Sequence, residues 1–121
     1  MKRLSKSITI ILEQSSKGSW KSFRLGSHFQ YVAYYKEEEV GNISVFKYKK
    51  WVFVNTVFVK SHYRGNGIGY ELYKHCLKEF KTLSTYYHDA SDDAKQVWKK
   101  LIRRHKYSTD FFKGILTIVD Q

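Results

Sequence analysis

Residues 54–77 form the segment VNTVFVKSHYRGNGIGYELYKHCL, whose residue pattern changes part-way along it. Its first part is rich in β-branched and aromatic residues, which is typical of a strand, and its last part spaces apolar residues as an amphipathic helix does. Between them lies Arg64-Gly65-Asn66-Gly67-Ile68-Gly69, which holds three of the chain's seven glycines. The sequence therefore predicts a strand, a turn and a helix in immediate succession, and we call residues 64–69 the glycine turn.

The glycine turn has the features of an anion site. The first amides of a helix lack partners within the helix, and the helix dipole adds positive potential there. Glycine lets an anion approach the backbone and permits positive φ angles, while Arg64 adds a formal charge. The alternative is a structural corner in which the glycines only relieve packing. The turn is not a Walker loop, because Gly69-Tyr70-Glu71 stands where Gly-Lys-Ser/Thr is needed, and its spacing differs from the dinucleotide fingerprint.

The rest of the chain predicts an α/β fold with a mixed, mostly antiparallel central sheet and helices packed on it. The fourth strand is apolar on both faces, which predicts that both of its faces are covered. Residues 15–27 are predicted to be a loop. Strands are predicted at residues 7–14, 28–36, 40–49, 51–60, 82–87 and 111–119, and helices at about 67–80 and from Ser91 to about Lys106.

The chain length and the cysteine and histidine content limit the class of protein. A chain of 121 residues predicts a single domain, residues 1–121. The single Cys76 cannot form an internal disulfide and is predicted to be a small buried residue on a helix. The sequence shows neither a signal-peptide pattern nor an apolar run of membrane-spanning length, so we expect a cytoplasmic protein with no membrane partner. The histidines are scattered without metal-ligand spacing, which predicts no metal site.

The charge of the chain favours anionic partners. Lys and Arg number 22 against 11 Asp and Glu, so the formal net charge is +11. Nucleic acid, an acidic protein and a phosphate-bearing cofactor all remain open, and a solvated helix surface is the simpler explanation for part of the charge. Trp20, Phe23 and Tyr34 are aromatic residues that could stack on bases. The basic residues of the predicted helices are Lys74, Lys78, Lys81, Lys95, Lys99, Lys100, Arg103, Arg104 and Lys106.

The segment from Val59 to Gly69, VKSHYRGNGIG, with Leu72 following, resembles the acyl-CoA binding motif of the GNAT superfamily of N-acetyltransferases. That motif is Gln/Arg-x-x-Gly-x-Gly/Ala after an apolar strand ending in Val, and Arg64, Gly67 and Gly69 fill it. In the family, the helix after the fifth strand carries an Ala and, four residues on, an aromatic residue. Ala94 and Trp98 have this spacing, and the region of resemblance covers about residues 50–107.

The resemblance implies a GNAT fold and an N-acetyltransferase that uses acetyl-CoA as its cosubstrate. The cofactor diphosphate would lie on the amides of Arg64 to Gly69, and the pantetheine arm would run beside the fourth strand near Phe58 and Val59. The fourth and fifth strands would splay apart, and the acceptor amine would attack the acetyl carbonyl directly. A backbone amide of the fourth strand would polarise that carbonyl. The implied cofactor-binding residues are Phe58, Val59, Arg64, Gly65, Asn66, Gly67, Ile68 and Gly69.

The sequence departs from the family at three places that bear on catalysis. Residues 15–27 are short where family members carry one or two helices, which implies an open acceptor site for a macromolecular or surface-exposed amine, or one that a partner completes. Trp98 stands where the family often has a tyrosine acid, and an indole N–H is no acid near neutral pH. The fourth strand carries no carboxylate. The remaining catalytic candidates are His88 with Asp89 beside it, Tyr107 and Asn55.

Two functions follow from these observations. The first is acetyl transfer from acetyl-CoA to an amine whose identity the sequence does not give. The second is a GNAT-fold binding protein without turnover, which engages nucleic acid or an acidic protein through its basic helices. An edge strand at the chain end predicts a monomer or a homodimer.

Overall fold

A computed structural model describes residues 7–17, 26–110 and 112–120. In this part of the chain, seven strands form one sheet and two α-helices pack on it. Two short 3₁₀ turns, Ser61–Tyr63 and Tyr87–Asp89, precede the helices. The strands are β1 (Thr9–Lys17), β2 (Ser27–Tyr35), β3 (Glu38–Tyr48), β4 (Trp51–Val59), β5 (Thr82–Tyr86), β6 (Lys106–Asp110) and β7 (Ile115–Val119), and the helices are α1 (Ile68–Phe80) and α2 (Asp92–Ile102).

The strand order of the sheet is β1-β2-β3-β4-β5-β7-β6. Strands β1 to β4 form an antiparallel meander, since each pairs with the next, and two-residue connections join β2 to β3 and β3 to β4. Strand β5 lies parallel to β4, and the crossover between them is α1. Strand β7 then inserts antiparallel between β5 and β6. The predicted mixed, mostly antiparallel sheet is confirmed.

Strands β4 and β5 separate almost as soon as they pair. Their register contains one pair, Phe53 opposite Ser84, whereas the register of β3 and β4 runs from Gly41 opposite Val59 to Tyr48 opposite Trp51. A register shift in β4 between Val54 and Thr56 leaves Asn55 without an opposite residue on β3, which is a β-bulge. Beyond Phe53 the two strands therefore leave an opening in the middle of the sheet.

Both helices cover the same face of the sheet. The Tyr73 ring of α1 contacts the Trp98 ring of α2 edge-on, with centroids 5.3 Å apart, and both side chains are buried. Cys76 is fully buried on α1, as predicted, and burial raises the pKa of its thiol to about 12. The core of this face also contains Tyr31, Ala33, Val40, Ile43, Val45, Val52, Ile68, Leu72, Leu77, Leu83, Leu101, Leu116 and Ile118.

The second face of the sheet carries no helix in the part of the chain that the structure describes. Alternation along the strands directs Phe46 and Phe53 to this face, opposite the helices. Phe58 lies on the same face and is 49% exposed, so the prediction that β4 is covered on both faces was wrong. The apolar residues of β4 pack into the core on its helix-facing side, and on its other side they are aromatic side chains at an open surface.

The C-terminal elements differ from the prediction. Helix α2 ends at Ile102 rather than near Lys106, and residues 106–110 form β6, which the sequence reading missed. The basic residues after Ile102 continue a helix-like pattern, and β6 is an edge strand with little burial to mark it. Strand β7 begins at Ile115, and Phe111 lies outside the described residues.

A tight turn connects β6 to β7. Lys113 N–H donates to Asp110 Oδ1 at 3.1 Å, and Gly114 N–H donates to Asp110 O at 2.7 Å. Gly114 has a φ of 69°, in the region that favours glycine. This turn places the last strand, β7, inside the sheet. The last strand was predicted to be an edge strand, but the edge of the sheet is β6.

The N-terminal strand lies further along the chain than predicted. Strand β1 runs to Lys17, so residues 15–17 are strand rather than loop. The rest of the predicted loop, residues 18–25 with Trp20 and Phe23, lies outside the described residues. No helix in residues 7–17, 26–110 and 112–120 is long and apolar enough to cross a bilayer.

Candidate active site

The glycine turn, which leads from the end of β4 to the start of α1, contains two residues with positive φ. Gly65 has a φ of 82° and Gly67 a φ of 84°, which an L side chain adopts only with strain. Gly67 is the N-cap residue of α1 and has no side chain to accept from the first turn. Among the described residues, no side chain accepts a hydrogen bond from the amides of Ile68, Gly69 or Tyr70. The helix therefore begins with free N–H donors.

The polar side chains of the turn are used to hold its shape. Asn66 is buried, and its Nδ2 donates to Tyr63 O at 3.1 Å and to Arg64 O at 3.4 Å. Arg64 Nε donates to Val59 O at 3.1 Å, which ties the exposed guanidinium to the end of β4. Tyr63 OH donates to Glu38 Oε1 at 2.7 Å. These bonds fix the loop without occupying the amides of the helix start.

A groove of about 570 Å³ lies beside these amides, between β4 and the two helices; we call it the helix groove. Seven of the eight predicted cofactor-binding residues line it: Phe58, Val59, Arg64, Gly65, Gly67, Ile68 and Gly69. The eighth, Asn66, points into the loop. The other lining residues are Val57, Tyr63, Tyr70, Tyr73, Ser91, Asp93, Gln96, Val97 and Lys100.

The charges around the helix groove favour an anion at the turn. Arg64 and Lys100 line the groove, and Lys100 Nζ lies 4.1 Å from the centroid of the Tyr70 ring. The positive end of the α1 dipole points to the same place. Asp93 also lines the groove, in the first turn of α2, where its charge stabilises that helix.

The opening between β4 and β5 is a second cavity, of about 390 Å³, which we call the strand cleft. Thr56 and Tyr86 line it from the open face of the sheet, and Trp98 and Ala94 line it from the helix face. The strand cleft therefore passes through the sheet. It shares Val57, Tyr73 and Ser91 with the helix groove, so the two cavities meet at these residues; its other lining residues are Val54, Asn55, Thr85, Asp89 and Ala90.

Tyr73 is a residue of this junction that sequence reasoning missed. Only 2% of it is exposed, yet it borders both cavities. Burial raises the pKa of its hydroxyl to about 12, although a hydrogen bond with Trp98 acts in the opposite direction. Its place on the apolar stripe of α1 predicts only a core residue. The available signal was that a tyrosine on such a stripe brings a hydroxyl into the interior.

The catalytic candidates from the sequence fall in two places. Asn55 and Asp89 line the strand cleft. His88 and Tyr107 line a separate cavity of about 270 Å³ at the C-terminal end of α2, which shares no lining residue with the other two. In the described part of the chain, no group of three or more His, Cys, Asp or Glu side chains is arranged to hold a metal ion.

Comparison with known proteins assigns the family. Residues 26–108 match the model of the acetyltransferase (GNAT) domain, and this range contains β2 to α2 with the glycine turn and both cavities. The chain belongs to the GNAT acetyltransferase family. No curated protein matches the chain.

Solved GNAT structures have the same fold at low identity. A Bacillus subtilis acetyltransferase in complex with CoA is 14% identical, with a TM-score of 0.61, over 94% of this chain and 99% of its own. A GNAT family acetyltransferase from Elizabethkingia anophelis with acetyl-CoA bound is 15% identical, with the same TM-score and coverage. A protein from Pyrococcus horikoshii classed as an acetyltransferase is 26% identical, with a TM-score of 0.55, over 67% of this chain. The chain spans 28% of the length of that protein.

Proposed function

We propose that this GNAT domain transfers the acetyl group of acetyl-CoA to an amine. The observation that carries the proposal is the free amides at the start of α1, which open onto the helix groove. A diphosphate needs N–H donors and positive potential, and this turn offers both. The Bacillus subtilis and Elizabethkingia anophelis relatives hold CoA and acetyl-CoA, which supports the same cosubstrate here.

The two cavities suggest how acetyl-CoA would lie. Its diphosphate would accept hydrogen bonds from the amides of residues 65–70, with Arg64 at the rim. Its pantetheine arm would follow residues 57–59 of β4, whose edge toward β5 has no strand partner in the described part of the chain. The thioester would then lie where the two cavities meet. The Asn66 side chain would hold the loop and not touch the ligand.

The acceptor would approach through the strand cleft. Its amine nitrogen would attack the acetyl carbon while a β4 amide near the bulge at Asn55 stabilises the developing oxyanion. This attack would form the C–N bond, and collapse of the tetrahedral intermediate would restore the carbonyl and break the C–S bond. The nitrogen would lose a proton, and the sulfur would leave as a thiolate.

Tyr73 is placed to stabilise that thiolate. With a pKa of about 12 its hydroxyl is protonated at neutral pH, and it borders the point where the cavities meet. The phenol would donate a hydrogen bond to sulfur as negative charge develops there. This role would replace the tyrosine that family members often carry at the position of Trp98. The Trp98 ring, packed against Tyr73, would hold the phenol in place.

Asp89 is the candidate for handling the amine. Among the described residues that line the strand cleft, it is the one carboxylate. It would attract a cationic acceptor and take the proton that the nitrogen releases, directly or through water. Asp89→Asn should lower kcat/KM for the amine without changing the Kd of acetyl-CoA, and an unchanged kcat/KM would exclude this role.

Calorimetric titration with acetyl-CoA tests the cosubstrate. We expect binding with a Kd between about 1 µM and 1 mM, the usual range for enzyme substrates. Folded protein that releases no heat of binding at about 1 mM acetyl-CoA would contradict the proposal. Adenosine, which lacks the diphosphate, is the control ligand and should bind far more weakly.

Release of the CoA thiol separates an enzyme from a binding protein without turnover. Acetyl-CoA would be incubated with the protein and with each of a set of amines: a peptide with a free N-terminus, a polyamine, and an aminoacyl ester. Amine-dependent thiol release is the expected result. Binding of acetyl-CoA with no release above the rate without protein, for every amine, would support the binding protein for the amines tested.

A further inference from the structure

Aromatic rings form a continuous row on the open face of the sheet. Trp51 and Phe53 lie with centroids 5.8 Å apart and planes at 21°, and Phe53 and Tyr86 with centroids 5.3 Å apart and planes at 10°. We call these three residues the aromatic strip. At these spacings near-parallel rings are offset and overlap only in part.

The row continues across the neighbouring strands. Phe46 of β3 lies opposite Phe53, and His28 of β2 lies opposite Phe46, with ring centroids 4.6 Å apart. Their position follows from strand alternation, since the residues on either side of them point toward the helices. Tyr86 is 51% exposed and His28 is exposed, and no helix of the described residues covers this face.

Positive charge is concentrated at one end of the aromatic strip. Lys49 and Lys50 form the β3–β4 turn, with their ammonium groups 5.3 Å and 5.7 Å from the Tyr48 and Trp51 ring centroids. The strand directions bring Lys47, Lys81 and Lys106 to this end of the sheet. Lys81 Nζ lies 3.9 Å from Asp120 Oδ2 there, and Lys47 lies on the helix-facing side. The acidic run Glu37, Glu38 and Glu39 lies at the β2–β3 turn, which is the opposite end.

The other end of the aromatic strip reaches the strand cleft. Tyr86 belongs to the strip and also lines the cleft together with Thr56. The strip thus leads from the lysine-rich end of the sheet to the opening through which the acceptor amine would enter.

We propose that the open face of the sheet binds single-stranded nucleic acid, with bases stacked on the aromatic strip and phosphates near the lysines at its end. Flat rings with adjacent cations match a strand that alternates flat bases with anionic phosphates, and stacking requires no particular base. An acidic peptide would use the lysines and leave the rings without a matching partner. The inference goes beyond the proposed acetyl transfer and does not depend on it.

The test is fluorescence anisotropy of a labelled single-stranded oligouridine of about 12 nucleotides, a length within the site sizes of such surfaces. Acetyl-CoA would be present at saturation, so that the glycine turn cannot serve as the phosphate site. The test variants are Tyr86→Ala and Lys50→Ala. Tyr107→Ala is the matched control for oligouridine binding, because Tyr107 is 55% exposed but lies on the helix-facing side of the sheet.

We expect Tyr86→Ala to raise the Kd of the oligouridine roughly fivefold or more, as the loss of one stacked base does. Lys50→Ala should weaken binding and reduce its salt dependence, and Tyr107→Ala should change neither. Absence of binding by the wild type, or binding that all three variants retain, would overturn the proposal. So would an acidic peptide that binds with equal affinity and equal sensitivity to Tyr86→Ala. Calorimetry with acetyl-CoA on the same samples reports separately on the binding of the proposed cosubstrate.

Discussion

We propose that Tyr73 and Trp98 share the role that one tyrosine fills in many GNAT enzymes. Trp98 stands on α2 where the resemblance to the family implies that tyrosine, and it is fully buried and has no acidic hydrogen. Tyr73 supplies a hydroxyl from α1, next to the same point. Because the two helices lie on one face of the sheet and contact each other, a side chain from either one can reach the junction of the cavities.

The Tyr73 proposal predicts a specific kinetic defect. Tyr73→Phe should lower kcat about tenfold to a hundredfold with little change in the Kd of acetyl-CoA, since it removes only a donor to the leaving sulfur. Tyr31→Phe is the matched control: Tyr31 is also buried, with a pKa raised to about 12, but it lines neither cavity. Equal kcat values for the two variants in steady-state assays would exclude the role.

Gly69 offers a test of charge at the glycine turn. A Cβ at Gly69 would meet only Val59 Cγ2, at 3.8 Å, so small side chains fit there. Gly69→Asp and Gly69→Asn place side chains of nearly equal size at the second residue of α1. We expect the aspartate to raise the Kd of acetyl-CoA at least about tenfold more than the asparagine, through repulsion of the diphosphate.

The thermal midpoint of the two Gly69 variants is the control. An aspartate in the first turn favours the helix dipole, so Gly69→Asp should be no less stable than Gly69→Asn. Weaker binding therefore cannot be assigned to unfolding. Equal Kd values for the two variants would show that no anion binds at this turn.

At the scale of elements, the start of α2 positions residues of both cavities. Ser91 is its N-cap residue, as predicted, and Ser91 Oγ accepts from Ala94 N–H at 3.1 Å. Asp92 and Asp93 follow in the first turn, where negative charge favours the dipole. Ser91 lines both the helix groove and the strand cleft, so the N-cap residue is also part of the boundary between the two cavities.

Removal of this cap should cost stability. Ser91→Ala should lower the free energy of unfolding by about 1 kcal/mol, because the Ala94 amide loses its acceptor. Urea denaturation followed by circular dichroism measures the change. Ser108→Ala on the exposed strand β6 is the control, and we expect it to stay within about 0.5 kcal/mol of the wild type. Equal losses for both variants would contradict the capping role.

The elements that the sequence predicted well are those with a strong local signal. The glycine turn, the stripe of α1 and the cap at Ser91 each have a physical reason that acts over a few residues. Strand β6 was missed because an edge strand owes its structure to its pairing partner, which here is β7. That pairing can be predicted only when the residues from Asp110 to Gly114 are recognised as a turn. Burial and strand order depend on the whole sheet.

In the candidate site, too, the residues within one local motif were predicted, and those brought together by the whole fold were not. Seven residues that line the helix groove belong to one continuous motif, and sequence reasoning named them together. The strand cleft is assembled from β4, β5, α1 and α2, so its residues are adjacent only in space. His88 and Tyr107 were chosen for their chemistry, and the fold places both in another cavity. Tyr73 was passed over because its spacing is that of a core residue.

At the scale of the whole molecule, one buried face holds several groups that resist ionisation. Burial raises the pKa of Cys76 from 9.0 to about 12, and those of Tyr31 and Tyr73 from 10.0 to about 12. The unfolded chain therefore loses these protons at lower pH than the folded chain does. Above pH 9 the unfolded state binds fewer protons, so stability falls as pH rises.

Alkaline denaturation should show this fall. The free energy of unfolding should be nearly constant from about pH 7 to pH 8 and should decline from about pH 9 to pH 12. Cys76→Ala should move the onset toward pH 10, where the tyrosines of the unfolded chain begin to ionise. Urea titrations at a series of pH values measure the curve. A wild-type curve that is flat to pH 11, or an onset unchanged by Cys76→Ala, would contradict this account.

An amide NMR titration of ¹⁵N-labelled protein with CoA tests the proposed diphosphate site residue by residue. We expect the largest shift changes at the amides of Gly65, Gly67, Ile68, Gly69 and Tyr70, because the diphosphate would accept their hydrogen bonds. Shifts that leave these amides unchanged while CoA binds elsewhere, or no shift at saturating CoA, would contradict it.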